Sequence, residues 1–101
     1  ITVTKEVLPA CDGADVLYTD VWVSMGKEDE AAFRAAQFGG YQINRATVEA
    51  AGGSPLVMHC LPAYRGKEIT DDIFEANAQT IFDQAENRLH TQKAILALLE
   101  K

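Results

Sequence analysis

Positive charge is the first thing this chain has little of. Nine Lys and Arg stand against fifteen Asp and Glu, for a formal net charge of −6. A nucleic-acid binder needs a basic face to displace counterions, so no nucleic-acid partner is expected. Cysteine is nearly absent: Cys11 and Cys60 are the two present, without C-x-x-C spacing. That excludes a disulfide framework and fits a reducing, cytoplasmic setting. His59 and His90 lack companions at zinc-ligand spacing, so no metal is assigned. No apolar run approaches the roughly 18 residues of a membrane span, and no membrane partner is expected. No G-x-G-x-x-G occurs, because Gly39-Gly40 and Gly52-Gly53 follow helical segments instead of opening them. A generic dinucleotide domain is thereby disfavoured. Ile1-Thr2-Val3-Thr4 carries neither an initiator Met nor a signal-peptide n-region. It reads as a strand starting mid-protein, and a trimmed piece is expected.

What is present suits one small α/β domain. The 101 residues are 48% hydrophobic, enough for a single core. β-branched alternation predicts a strand over residues 1–4, and a short helix is expected within 6–13, ended by Gly13. The apolar run 14–19 reads as a parallel strand, with residues 20–26 as the loop at its C-terminal end. Residues 28–38 are helical by composition, with Ala32, Ala35 and Phe38 on one side. Lys27-Glu28-Asp29-Glu30 reads as a solvated face. Asn44 is placed to cap a helix over 45–51, which Gly52-Gly53 stops. Residues 56–60 form the next strand, and Thr70 is placed to cap a helix over 71–75. Thr80-Ile81-Phe82 reads as extended. Asp83 and Glu86 have capping-box spacing for a final helix over 84–100, with Leu89, Leu96 and Leu99 on one stripe. Strands alternating with helices give a Rossmann-like parallel sheet with flanking helices.

Three polar clusters stand out. His59-Cys60-Leu61-Pro62 follows Leu56-Val57-Met58, at the C-terminal end of a strand, where open α/β sheets bind ligands. Cys60 reads either as a functional thiol or as a buried small hydrophobe. A cis Leu61–Pro62 bond could turn the Cys60 and Leu61 carbonyls into a cleft. Asp20, just past the other strand, could hold an ammonium group or serve as a turn residue. Trp22 and Met25 bring large apolar surface to that loop, folding either over a ligand or onto the sheet. Arg88, expected in the first turns of the final helix, could bind an anion beside free N–H groups or pair with Glu86. His90 reads as a packing or hydrogen-bonding residue.

In combination these runs resemble the ornithine carbamoyltransferase family. The matching stretches are Tyr18-Thr19-Asp20-Val21-Trp22-Val23-Ser24-Met25-Gly26, Met58-His59-Cys60-Leu61-Pro62-Ala63-Tyr64-Arg65-Gly66 and Asp83-Gln84-Ala85-Glu86-Asn87-Arg88-Leu89-His90. The resemblance covers essentially the whole chain. It implies the C-terminal part of the ornithine-binding domain of a two-domain transcarbamylase, with a final helix that packs back on the other domain. The implied reaction moves a carbamoyl group from carbamoyl phosphate to the δ-amine of ornithine, giving citrulline and phosphate, without a cofactor. By the same resemblance Asp20 holds the ornithine amino group, and Ser24 and Met25 lie on a loop closing over ornithine. Cys60 sits beside the reacting amine, Leu61 offers a carbonyl to the carbamoyl amide, and Arg88 contacts carbamoyl phosphate. Asp20, Cys60 and Arg88 are therefore the candidate catalytic residues.

The family's phosphate-cradling Ser-Thr-Arg-Thr motif and its His-Pro-x-Gln motif are not in this sequence. The resemblance places both, and most of the trimer interface, in an N-terminal carbamoyl-phosphate domain. The 101 residues alone are thus expected to be inactive. The Ser-Met-Gly element separates the family from aspartate and putrescine carbamoyltransferases, and Arg65-Gly66 looks more like biosynthetic than catabolic members. A cytoplasmic location is implied, or the mitochondrial matrix if the source is eukaryotic. The competing reading is a catalytically inactive amino-acid-binding module of the same fold.

Overall fold

The computed structural model describes residues 1–100. Two short strands, β1 (Val16–Thr19) and β2 (Leu56–His59), pair in parallel with Leu17 opposite Val57 and Thr19 opposite His59. A parallel pair needs a long crossover. Here it holds α2 (Ala31–Phe38) and α3 (Arg45–Ala50), after α1 (Val7–Cys11) precedes the sheet. Helices α4 (Asp71–Ala76) and α5 (Ala78–Leu99) follow β2. Leu17 and Val57 enter a core with Ile43, Ile69, Ile73, Phe74 and Ile81. Burying each such side chain is worth about 1.5–3 kcal/mol.

The local signals of α3 act as expected. Asn44 Oδ1 accepts the Thr47 N–H at 3.2 Å, and Thr47 Oγ1 accepts the Asn44 N–H at 3.0 Å. This reciprocal box satisfies two N–H groups that the first helical turn leaves without partners. Gly52, at φ 101°, takes the chain out of the helix through a region closed to most side chains.

Several expectations fail, each for a physical reason. Residues 1–4 are exposed and unpaired; alternation alone does not make a strand without a neighbour to bond, and β1 and β2 are the sheet's strands among the described residues. Residues 28–38 begin as a 3-10 turn, Glu28–Glu30, before α2. The half-buried side of α2 is Ala31, Arg34 and Ala35, not the side of Ala32 and Phe38. Thr70 gives no side-chain cap to α4. Thr80-Ile81-Phe82 is helical, because α5 starts at Ala78, six residues before the expected start at Gln84. Asn77, Ala78, Thr80, Ile81 and Gln84 are the inward residues there, at helical three- and four-residue spacing. Phe82 meets Phe74 edge to face, ring centres 6.0 Å apart. Asp83 is therefore inside the helix, accepting from Gln79 Nε2 at 2.8 Å, and forms no capping box. Beyond Gln84 the helix is exposed on all sides, including Leu89, Leu96 and Leu99.

Candidate functional site at the strand ends

β1 and β2 end side by side, so the residues that follow them meet. Cys60 Sγ donates to Asp20 Oδ1 at 3.0 Å, and the Val21 N–H donates to the same oxygen at 2.6 Å. The thiol and the backbone N–H together hold the Asp20 carboxyl below its ordinary 3.8. Partial burial, then the Asp20 hydrogen bond and charge, push the Cys60 thiol above its ordinary 9.0. Near neutral pH the pair is thus a thiol donor and an ionised acceptor. A thiol held protonated is a poor nucleophile, which leaves Cys60 as a hydrogen-bonding group.

Cys60 and Arg88 line one open groove of about 550 Å³ between β2 and α5, with Tyr18, Met58 and Gln84. Arg88 is not at a helix N-terminus as expected. It lies in the eleventh position of α5, where the backbone N–H groups are already used by the helix. Its guanidinium alone supplies the positive charge, and it forms no ion pair with Glu86 or another acid among the described residues. His90 stands 3.8 Å from Glu86, one helical turn away.

Gln84, one turn before Arg88, sets the position of this face. Its Oε1 accepts the His59 N–H at 3.1 Å, and its Nε2 donates to Tyr18 Oη at 3.2 Å. One side chain thereby ties α5 to both strands.

The Trp22–Gly26 segment leaves the sheet. Ser24 and Met25 are exposed, and Met25 faces a separate cavity of about 250 Å³ with Trp22, Tyr64 and Glu68. Arg34 anchors the segment to α2, donating to Glu30 at 2.9 Å and to the Trp22 carbonyl at 3.4 Å. The fold therefore joins Asp20 to Cys60 by a hydrogen bond and sets Cys60 and Arg88 on one groove, which Asp20 does not line, and it leaves Ser24 and Met25 on a flank. Leu61 follows Cys60 directly, in the left-handed region at φ 59°, and the Leu61–Pro62 peptide is cis.

Three residues here carry little signal in the sequence. Gln84 stands only within a matching run. His59 reads as part of the strand-end cluster without metal-ligand companions, and Glu68 stands in no run that points to a site. Both are fully buried, with His59 Nε2 2.8 Å from Glu68 Oε1. Buried Glu is rare without a partner, but no local pattern marks which Glu goes inside. Among the described residues no group of three or more His, Cys, Asp or Glu is placed to hold a metal ion.

A parallel α/β unit that sets a thiol and a carboxylate at its strand ends, with a guanidinium on the thiol's groove, has the form of a small-molecule-binding α/β domain. Comparison with known proteins narrows the class. The model of the family described as "Aspartate/ornithine carbamoyltransferase, Asp/Orn binding domain" matches residues 1–99, and the chain belongs to that family. It is 54% identical over 99 residues to the ornithine carbamoyltransferase of Prochlorococcus marinus, covering 98% of this chain and 31% of that protein. The Syntrophotalea carbinolica ornithine carbamoyltransferase is also 54% identical, with 98% and 33% covered. Among solved structures, the anabolic ornithine carbamoyltransferase of Campylobacter jejuni superposes with a TM-score of 0.83 at 40% identity, over 94% of this chain and 31% of that one. The Gloeobacter violaceus enzyme gives 0.76 at 47% identity, over 93% and 30%. The chain thus spans about a third of the length of these relatives.

Proposed function

We propose that this chain is the ornithine-binding part, with the final helix, of an ornithine carbamoyltransferase acting in arginine biosynthesis. In this reading the whole enzyme works as a trimer, or a multiple of trimers, in the cytoplasm or, in a eukaryote, the mitochondrial matrix. The observation that carries the reading is the Asp20–Cys60 contact at 3.0 Å, with Arg88 on the same groove as Cys60. Asp20 Oδ1 is engaged by Cys60 and Val21, which leaves its second oxygen for the amino group of ornithine. The Ser24–Met25 segment closes over that substrate. The δ-amine, neutral when it attacks, forms a C–N bond to the carbamoyl carbon and loses a proton. The C–O bond to phosphate breaks, and phosphate leaves with that electron pair. Arg88 offsets charge on the departing group, and the Cys60 and Leu61 carbonyls accept the carbamoyl N–H groups. Holding both substrates in one site supplies much of the rate. The missing phosphate cradle comes from an N-terminal domain.

The test is turnover by the full-length enzyme with carbamoyl phosphate and ornithine, aspartate or putrescine. Citrulline from ornithine is expected, with no comparable product from the other two. Residues 1–101 alone are expected to give none. Preference for aspartate or putrescine, or no transfer by the full-length enzyme, would overturn the reading.

A further inference from the structure

The segment from Cys60 to Tyr64 lies outside any helix or strand, yet it carries the thiol and two carbonyls of the proposed site. What holds it is a buried pair beneath it. The Leu61 N–H donates to His59 Nδ1 at 2.8 Å. Nδ1 therefore carries no proton, and the ring's N–H is at Nε2. Nε2 points at Glu68 Oε1, 2.8 Å away, and that oxygen also accepts the Tyr64 N–H at 2.7 Å. The two side chains are 0% and 1% exposed. Neither His59 nor Glu68 lines the groove of Cys60 and Arg88, although Glu68 also borders the cavity that Met25 faces.

The geometry reaches the groove through one peptide plane. The Leu61 N–H and the Cys60 carbonyl belong to the same trans peptide, in which they point in opposite directions. Fixing the N–H on the buried His59 ring turns the Cys60 carbonyl away from the core. We propose that His59 and Glu68 are positioning residues: Glu68 selects the Nε2–H tautomer of His59, and the Nδ1 bond to Leu61 aims the Cys60 carbonyl at the carbamoyl amide. This rests on the proposed reaction, and assay of the unaltered full-length enzyme tests that separately.

Two substitutions divide the ring's two jobs. His59→Asn places an acceptor near Nδ1 and gives up Glu68. His59→Gln reaches toward Glu68 and gives up the Leu61 bond. Losing the partner of a buried carboxylate costs more stability than losing one neutral hydrogen bond. The Asn variant is therefore expected to have the lower thermal midpoint and yet the higher kcat. In His59→Gln, kcat falls about tenfold, the scale of one transition-state hydrogen bond, with the KM for ornithine unchanged. Glu68→Gln, whose amide oxygen still accepts from Nε2, keeps most of the activity that Glu68→Leu loses. If kcat merely followed the thermal midpoints, or His59→Gln kept full kcat, the proposal would be wrong. Should a variant fail to fold, the full-length enzyme with 15N-labelled histidine still decides. Its His59 ring must show a bare Nδ1 and a protonated Nε2, and the opposite tautomer would overturn the proposal.

Discussion

Cys60 and Asp20, forty residues apart in sequence, are joined at 3.0 Å because parallel strands end on the same edge of a sheet. An antiparallel pair would place those two strand ends at opposite edges. The contact sets the charge state of both groups. Asp20, depressed below its ordinary 3.8, adds stability at neutral pH that is lost as pH falls through its folded value. Cys60, raised above 9.0, adds stability present below that value and lost as pH rises through its folded one. Asp20→Asn removes the stability that is lost in acid. It also brings the thiol down toward its ordinary range, so alkylation of Cys60 at pH 8 speeds up several-fold. Rates of iodoacetamide labelling against pH check this, and an unchanged Cys60 profile would mean that the contact does not exist in solution.

Asn44→Ala removes one half of the α3 capping box. The expected loss is about 1 kcal/mol, read by chemical denaturation. Asn44→Asp, which keeps the acceptor, should restore most of it.

Ile81, fully buried on α5, is the residue of this helix that enters the core. Ile81→Ala is expected to cost about 2–5 kcal/mol, whereas Phe82→Ala, at a position 54% exposed, costs less. Denaturant midpoints of the two variants rank them. A larger effect at Phe82 would restore the extended reading of residues 80–82.

Gln84→Ala leaves the His59 N–H without its acceptor and frees Tyr18 Oη. Leaving a buried donor unsatisfied costs about 1–3 kcal/mol. Hydrogen exchange at the His59 amide should rise with it, while the Val57 amide on the same strand changes less.

The sheet and the site were legible in the sequence to different depths. Leu56-Val57-Met58 and Val16-Leu17-Tyr18 announce themselves as strands, and Asn44 announces its helix, because these signals are local; their burial is not, since Val16, Tyr18 and Leu56 are exposed. The runs around Asp20 and Cys60 marked the strand-end loops, and the parallel fold then brought them together. Residues 1–4 and 80–82 misled because β-branched or aromatic composition does not say whether a partner strand is near. Misplacing the start of α5 also misplaced Arg88 at a helix terminus. Glu68 was invisible because its burial depends on His59, nine residues earlier and on another element.

The most direct test of the account separates the two substrates at the level of single residues in the full-length enzyme. Asp20→Asn should raise the KM for ornithine at least tenfold, while the KM for carbamoyl phosphate stays within about twofold. Arg88→Leu should do the reverse. Arg88 is exposed and outside any ion pair among the described residues, so the fold should be unaffected. If both variants raised both constants equally, or if neither changed either, these strand ends would not be where the amine and the phosphate are told apart.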